Sequence, residues 1–121
     1  MLHNDDFTIV HELAETLQAL ADPIRLKIVR ILLSRTKETL SVTDVSKILG
    51  ISQPAASQHI KILKNKGFLI ANRDGNRMIY TINKRAAYRF KMVWDDWYAK
   101  MFTVCPHDMR CSDCPDKKTC A

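Results

Sequence analysis

Val10, Leu13, Leu17 and Leu20 stand three or four positions apart, with Glu12, Glu15 and Gln18 between them. That spacing predicts an amphipathic helix over residues 7–21. Ala-Asp-Pro then breaks the pattern: Asp22 can cap a new helix, and Pro23 can take its first position, where a missing N–H does no harm. The second helix, PIRLKIVRILLSR over residues 23–35, is expected to bury Leu26, Ile28, Val29, Leu32 and Leu33, and TKETL reads as a loop. Ser41 caps a short third helix, VTDVSKIL, where Asp44 completes a capping box and Gly50 supplies a left-handed end. Ser52 caps a fourth, QPAASQHIKILKNK over residues 53–66, which Gly67 stops.

From Phe68 the period changes from helical to alternating. FLIANR and RMIYTI are β-branched or aromatic runs on either side of Asp74-Gly75-Asn76, a strong hairpin signal. Asn83 then caps a last helix over residues 84–102, loaded with Tyr88, Met92, Trp94, Trp97, Tyr98, Met101 and Phe102. The order of elements predicts a mainly α (α+β) fold: a winged helix-turn-helix of five helices plus a two-stranded β-hairpin wing, followed by a cysteine-rich C-terminal extension. The expected organisation is a DNA-binding and dimerisation domain over residues 1–102 and a metal or redox tail over residues 103–121.

On a helical wheel, Ala56, Ile60 and Leu63 share the inward face of the fourth helix, leaving Gln53, Ser57, Gln58 and Lys61 outward. Ser and Gln can donate to and accept from base edges, and Gln suits adenine. Lys61 and Lys64 lie where phosphates would run, and the hairpin tip carries Arg73, Asn76 and Arg77 toward the neighbouring minor groove. His59 points partly inward, as either a core histidine or a base contact.

Charge sharpens that picture. The net charge is +6, and residues 45–85 hold eight Lys/Arg against Asp74 alone, whereas the flanking stretches are nearly balanced. A basic middle third suits a polyanion such as double-stranded DNA. With 121 residues there is room for one ordinary domain. Neither an apolar run long enough to span a bilayer nor a signal-like N-terminus is present, so a cytoplasmic protein without membrane association is expected. Gly-rich phosphate loops, paired carboxylates and nucleophile elbows are missing too, which argues against an enzyme.

ALADPIRLKIVRILL, LGISQPAASQHIKILKNKGFL and RDGNRMIYTI together resemble the ArsR/SmtB family of repressors over roughly residues 8–101. The resemblance implies a homodimeric winged-helix repressor that releases its operator when an effector binds. It places Ser52, Gln53, Ser57, Gln58 and His59 on the reading helix. It also implies a dimer interface of the first and last helices, carried here by Leu13, Leu17, Trp94, Trp97 and Tyr98. Two family sensor sites are missing: SVTDV has no sulfur where many members carry a thiolate box, and residues 84–102 hold no histidine.

All four cysteines instead fall in the tail, as Cys105, Cys111, Cys114 and Cys120, within CPHDMRCSDCPDKKTC. In a reducing compartment, clustered thiols favour a metal or redox role over stapling. Four thiolates suit zinc in a closed tetrahedral site and equally a 4Fe-4S cluster, while a thiol–disulfide switch needs no metal. His107 or Asp108 could replace one ligand. Such a tail can serve as the effector site of a regulator or as a structural zinc clasp on a constitutive DNA-binding protein. A small thiol oxidoreductase using Cys111 and Cys114 fits poorly, because a helix and not a strand precedes the pair.

Overall fold

Asp22, more than the apolar pattern around it, decides where the first helix stops and the second begins. Its extended backbone (φ −152°, ψ 132°) breaks the run, and its carboxylate accepts from the N–H groups of Ile24 at 2.8 Å and Arg25 at 3.2 Å. Partial burial works to raise the Asp22 pKa, but these two N–H bonds, helped by nearby His59 and Arg25, hold it below the usual carboxylate range. The computed structural model describes residues 3–35, 39–102, 110 and 112–115, with side chains from Thr8 onward. The helices are α1 (His3–Leu20), α2 (Pro23–Ser34), α3 (Val42–Leu49), α4 (Gln53–Asn65) and α5 (Lys84–Lys100); β1 (Leu69–Asp74) and β2 (Arg77–Ile82) lie between α4 and α5. This is the five-helix, one-hairpin winged helix-turn-helix expected from the sequence.

Caps behave as the sequence predicts. Ser41 Oγ accepts from Asp44 N while Asp44 Oδ2 accepts from Ser41 N at 2.9 Å, a complete capping box. Gly50 sits at φ 66°, a left-handed end that a side chain would strain. Ser52 accepts from Ala55 N, and Asn83 Oδ1 accepts from Arg85 N at 3.2 Å while its Nδ2 donates to Gly67 O at 2.9 Å.

Helix ends and one buried set differ from expectation. The first helix starts at His3, ahead of the apolar repeat, because an opening turn needs no buried face. The last stops at Lys100, with Met101 and Phe102 in a turn. In α2 only Ile28 (0% exposed) and Leu32 (5%) are buried; Leu26 (53%) and Leu33 (49%) lie on the opposite side of a helix that is apolar nearly all round but covered on one face. Leu40, expected in a loop, is buried and bridges β2 through Tyr80 N donating to Leu40 O at 2.9 Å.

The chain divides into two compact units. One is Thr16–Tyr88; the other holds α1 through Glu15 and α5 from Arg89 onward. In the first, α4 packs on α2, α3 and β1, and its core gathers Ile28, Leu32, Val45, Ala56, Ile60, Leu63, Phe68 and Leu69. The hairpin runs in register from Leu69 opposite Ile82 to Asp74 opposite Arg77, with Gly75 at φ 63° in its two-residue turn. In the other, Leu13 and Val93 are buried, and Arg89 grips Glu12 with Nε–Oε1 at 3.0 Å and Nη2–Oε2 at 2.9 Å. That paired bond pushes the Arg89 pKa up. Among the described residues, no helix is long and apolar enough to cross a membrane.

Candidate nucleic-acid interface

Helix α4 is held by three fully buried side chains, with Ala55, His59 and Ile62 half-buried beside them and a polar row facing out. Ala56, Ile60 and Leu63 are between 0% and 1% exposed, while Gln53, Ser57, Gln58, Lys61 and Lys64 are all exposed. Pro54 in its first turn loses no bond, and the outward row is spaced as one helical face.

The ten residues singled out on α4 and the wing divide by what already occupies them. Ser52 caps the helix, and Gln53 donates to the Thr43 hydroxyl of α3. His59 is half-buried with its Nδ1 3.3 Å from a guanidinium nitrogen of Arg25, and Arg77 pairs with Asp44. Among the described residues, Ser57, Gln58, Lys61, Lys64, Arg73 and Asn76 have no polar partner. These six present unspent donors, three of them cationic; four lie on α4, which carries no acid, and Arg73 and Asn76 lie on the wing.

Asp44 serves two elements at once, a role that the sequence suggested only in part. Its bond from the Ser41 backbone N–H holds its carboxyl below the usual carboxylate range; the Ser41 hydroxyl and the charges of Arg77 and Lys47 add to this, and partial burial opposes it. The pairing joins the start of α3 to β2 of the wing. Arg25 was missed entirely at the sequence level. It lies three residues after a capping Asp, in a basic and apolar helix, and no periodic signal separates it from Lys27 or Arg30.

The aromatic positions of α5 form a ladder: Phe90–Trp94 at 6.3 Å between ring centroids, Trp94–Trp97 at 5.7 Å, Trp94–Tyr98 at 6.1 Å and Tyr98–Phe102 at 5.2 Å. Trp97, Tyr98 and Phe102 stay exposed, as does Leu17, whereas Leu13 is buried. Of the tail cysteines, Cys114 is a partly exposed free thiol; Cys105, Cys111 and Cys120 lie outside the described residues. Among the described residues no three His, Cys, Asp or Glu side chains gather as a metal site.

Residues 22–71 match the family model for bacterial regulatory proteins of the arsR family. The transcriptional regulator NmtR of Mycobacterium tuberculosis is 37% identical over 71 residues, which are 59% of this chain and 57% of NmtR, so the chain spans little more than half of that relative. The transcriptional repressor PagR of Bacillus anthracis is 36% identical over 81 residues, covering 67% of this chain and 79% of PagR. A homodimeric winged helix-turn-helix DNA-binding domain from Mycobacterium bovis, a possible ArsR-family regulator, superimposes with a TM-score of 0.59 at 25% identity, over 79% of this chain and 86% of that one. The family model, the regulators that share its sequence and the wing-and-helix order agree on one assignment: the chain belongs to the arsR family of bacterial regulatory proteins.

Proposed function

We propose that the chain is a homodimeric transcriptional repressor that reads an operator with α4 and its wing and loses affinity when the C-terminal cysteines change their metal or redox state. The observation that carries the DNA half is the row of unpartnered donors, Ser57, Gln58, Lys61 and Lys64, on the open face of a helix whose other face is locked into the core. Ser57 and Gln58 meet base edges; Lys61, Lys64, Arg73 and Asn76 meet backbone or minor groove. Ser52, Gln53 and Arg77 flank the reading surface while holding its elements together. A two-fold mate sets a second α4 about 34–36 Å away on one side of the duplex. Trp97, Tyr98 and Leu17, exposed on the last and first helices, are among the apolar groups available for that mate, with Trp94 supporting the ladder. The named homodimer among similar structures supports the same reading.

The sensor half rests on donor chemistry. Cys105, Cys111, Cys114 and Cys120 would supply four thiolates, enough for zinc or a 4Fe-4S cluster, and such a group would stabilise the folded tail. Without a metal, the same thiols can form a disulfide switch. The tail follows α5 directly, so a change there bears first on the helix that carries the aromatic ladder.

Two variants test the DNA half. Gln58→Ala should reduce discrimination between operator and random duplex, and Lys64→Ala should weaken both alike and lower the salt slope by about 1. If both bind as the parent does, the assigned face is wrong. Anaerobic purification followed by metal analysis and absorption tests the tail: iron with sulfide and a band near roughly 400 nm selects a cluster, colourless zinc selects the tetrahedral site, and neither leaves the disulfide. Operator affinity that ignores chelation and oxidation would reduce the tail to a structural clasp.

A further inference from the structure

We propose that His59 acts as a positioning residue of the reading helix, not as a base contact: its Nδ1 is the acceptor by which Arg25 holds α4 to the last turn of α1. The inference rests on the assignment of α4 as the DNA reader and deepens it. Arg25 spends its guanidinium in three directions. Nε donates to Ala19 O at 2.6 Å, Nη2 to Gln18 O at 3.3 Å, and Nη1 lies 3.3 Å from His59 Nδ1. The first two acceptors are carbonyls left open where α1 ends, the place where a cation is best stabilised by the helix dipole. Arginine carries only donors, so the nitrogen of His59 that faces it has to accept. That fixes the tautomer: Nδ1 is bare and Nε2 carries the proton.

The guanidinium is planar and its forks are rigid, so satisfying both α1 carbonyls also fixes where the third donor points. His59 therefore sets the rotation of α4 relative to the end of α1, and with it the aim of Ser57 and Gln58, two residues and one residue earlier. Asp22 also lies beside the pair, with its carboxylate already committed to the N–H groups of Ile24 and Arg25. A base-reading histidine and a positioning one differ in which ring nitrogen matters. Asparagine places its oxygen near Nδ1, whereas glutamine places its own near Nε2.

The test therefore compares His59→Asn, His59→Gln and His59→Leu against the parent, by titrating each with the operator and with single-base variants of it at one salt concentration. Expected is near-parental binding for Asn, and about tenfold weaker binding for Leu and Gln, by the same factor on every operator variant. Arg25→Met should weaken binding similarly, and adding His59→Leu to it should cost nothing more. If Gln restores binding and Asn does not, or if any substitution changes preference at one base pair, His59 reads DNA and the inference falls. Nitrogen-15 spectra of the parent without DNA judge the tautomer independently: a proton on Nδ1 of His59 overturns the inference. Failure of the parent to bind any duplex would instead refute the α4 assignment, with the tautomer result still standing.

Discussion

Helices α4 and α5 are both held by a narrow apolar seam, and they spend their exposed sides in opposite ways. On α4 the exposed side is polar, and its cations Lys61 and Lys64 have no partner among the described residues. On α5 the exposed side beyond the first turn is aromatic, and three of the helix's five cations are paired: Arg89 with Glu12, Lys91 with Asp95 at 2.8 Å, and Lys100 with Asp96 at 3.0 Å; Lys84 and Arg85, at its start beside the wing, have no ion pair among the described residues. An unpaired lysine gives up little when it meets a phosphate, and the released counterions favour the encounter. A paired one must first abandon its carboxylate. The aromatic side gains most from a dry protein partner, where rings bury large areas and retain specific geometry. The exposed side of α4 thus suits a polyanion and the aromatic side of α5 suits another protein surface, as the proposed function requires.

The contrast breaks most visibly if the two seams are attacked. Leu63→Ala removes a fully buried side chain from α4 and should lower stability by about 2–5 kcal/mol, read from urea unfolding. Tyr98→Ala, at 48% exposure, removes nothing from the protomer core. It should instead weaken self-association by about 2 kcal/mol, roughly thirtyfold, in sedimentation equilibrium, and any loss of melting temperature should shrink as protein concentration rises. A concentration-independent loss as large as that of Leu63→Ala would mean that the α5 rings are core, not surface.

Much of this contrast can be read from the sequence, for identifiable reasons. Caps and turns are local, so Asp22, Ser41 with Asp44, Ser52 and Asn83 announce themselves within three residues of what they bind. The seam of α4 is equally legible because its apolar positions are few and regularly spaced. In α2 that logic fails: with apolar residues on every side, period alone cannot say that Leu26 and Leu33 are the uncovered ones. Long-range polar links leave no trace at all. Arg25 meets His59 across 34 positions and Asp44 meets Arg77 across 33, and each pair is made by folding, not by any local motif.

A smaller effect tests the wing side of the comparison, at Asp44. Asp44→Ala removes the capping box and should cost about 0.5–2 kcal/mol. Asp44→Asn keeps an acceptor for Ser41 N while losing the charge that faces Arg77, and should cost less. Because the folded pKa lies below the ordinary 3.8, the carboxylate stabilises the fold above that pH and loses this contribution as pH falls through the lowered value. The difference between parent and Asp44→Asn should accordingly be constant near neutrality and shrink below about pH 3.8 in acid unfolding monitored by circular dichroism. A difference that instead grows with acid would show that the charge is not stabilising.

The smallest expected change is also the cleanest separation of the two surfaces. Arg89 and Glu12 form a two-pronged pair with side chains 54% and 36% exposed. Water and salt screen such a pair, so Glu12→Gln should cost under about 1 kcal/mol and the cost should fade in high salt. Lys64→Ala, in contrast, should leave unfolding unchanged and act only on duplex binding. A cation already satisfied inside the protein contributes to stability and little to DNA, and an unsatisfied one does the reverse. Should Glu12→Gln, by freeing Arg89, raise nonspecific duplex affinity as much as Lys64→Ala lowers it, then the pairing of Arg89, not the placement of Lys64 on α4, would decide which of these cations meets DNA.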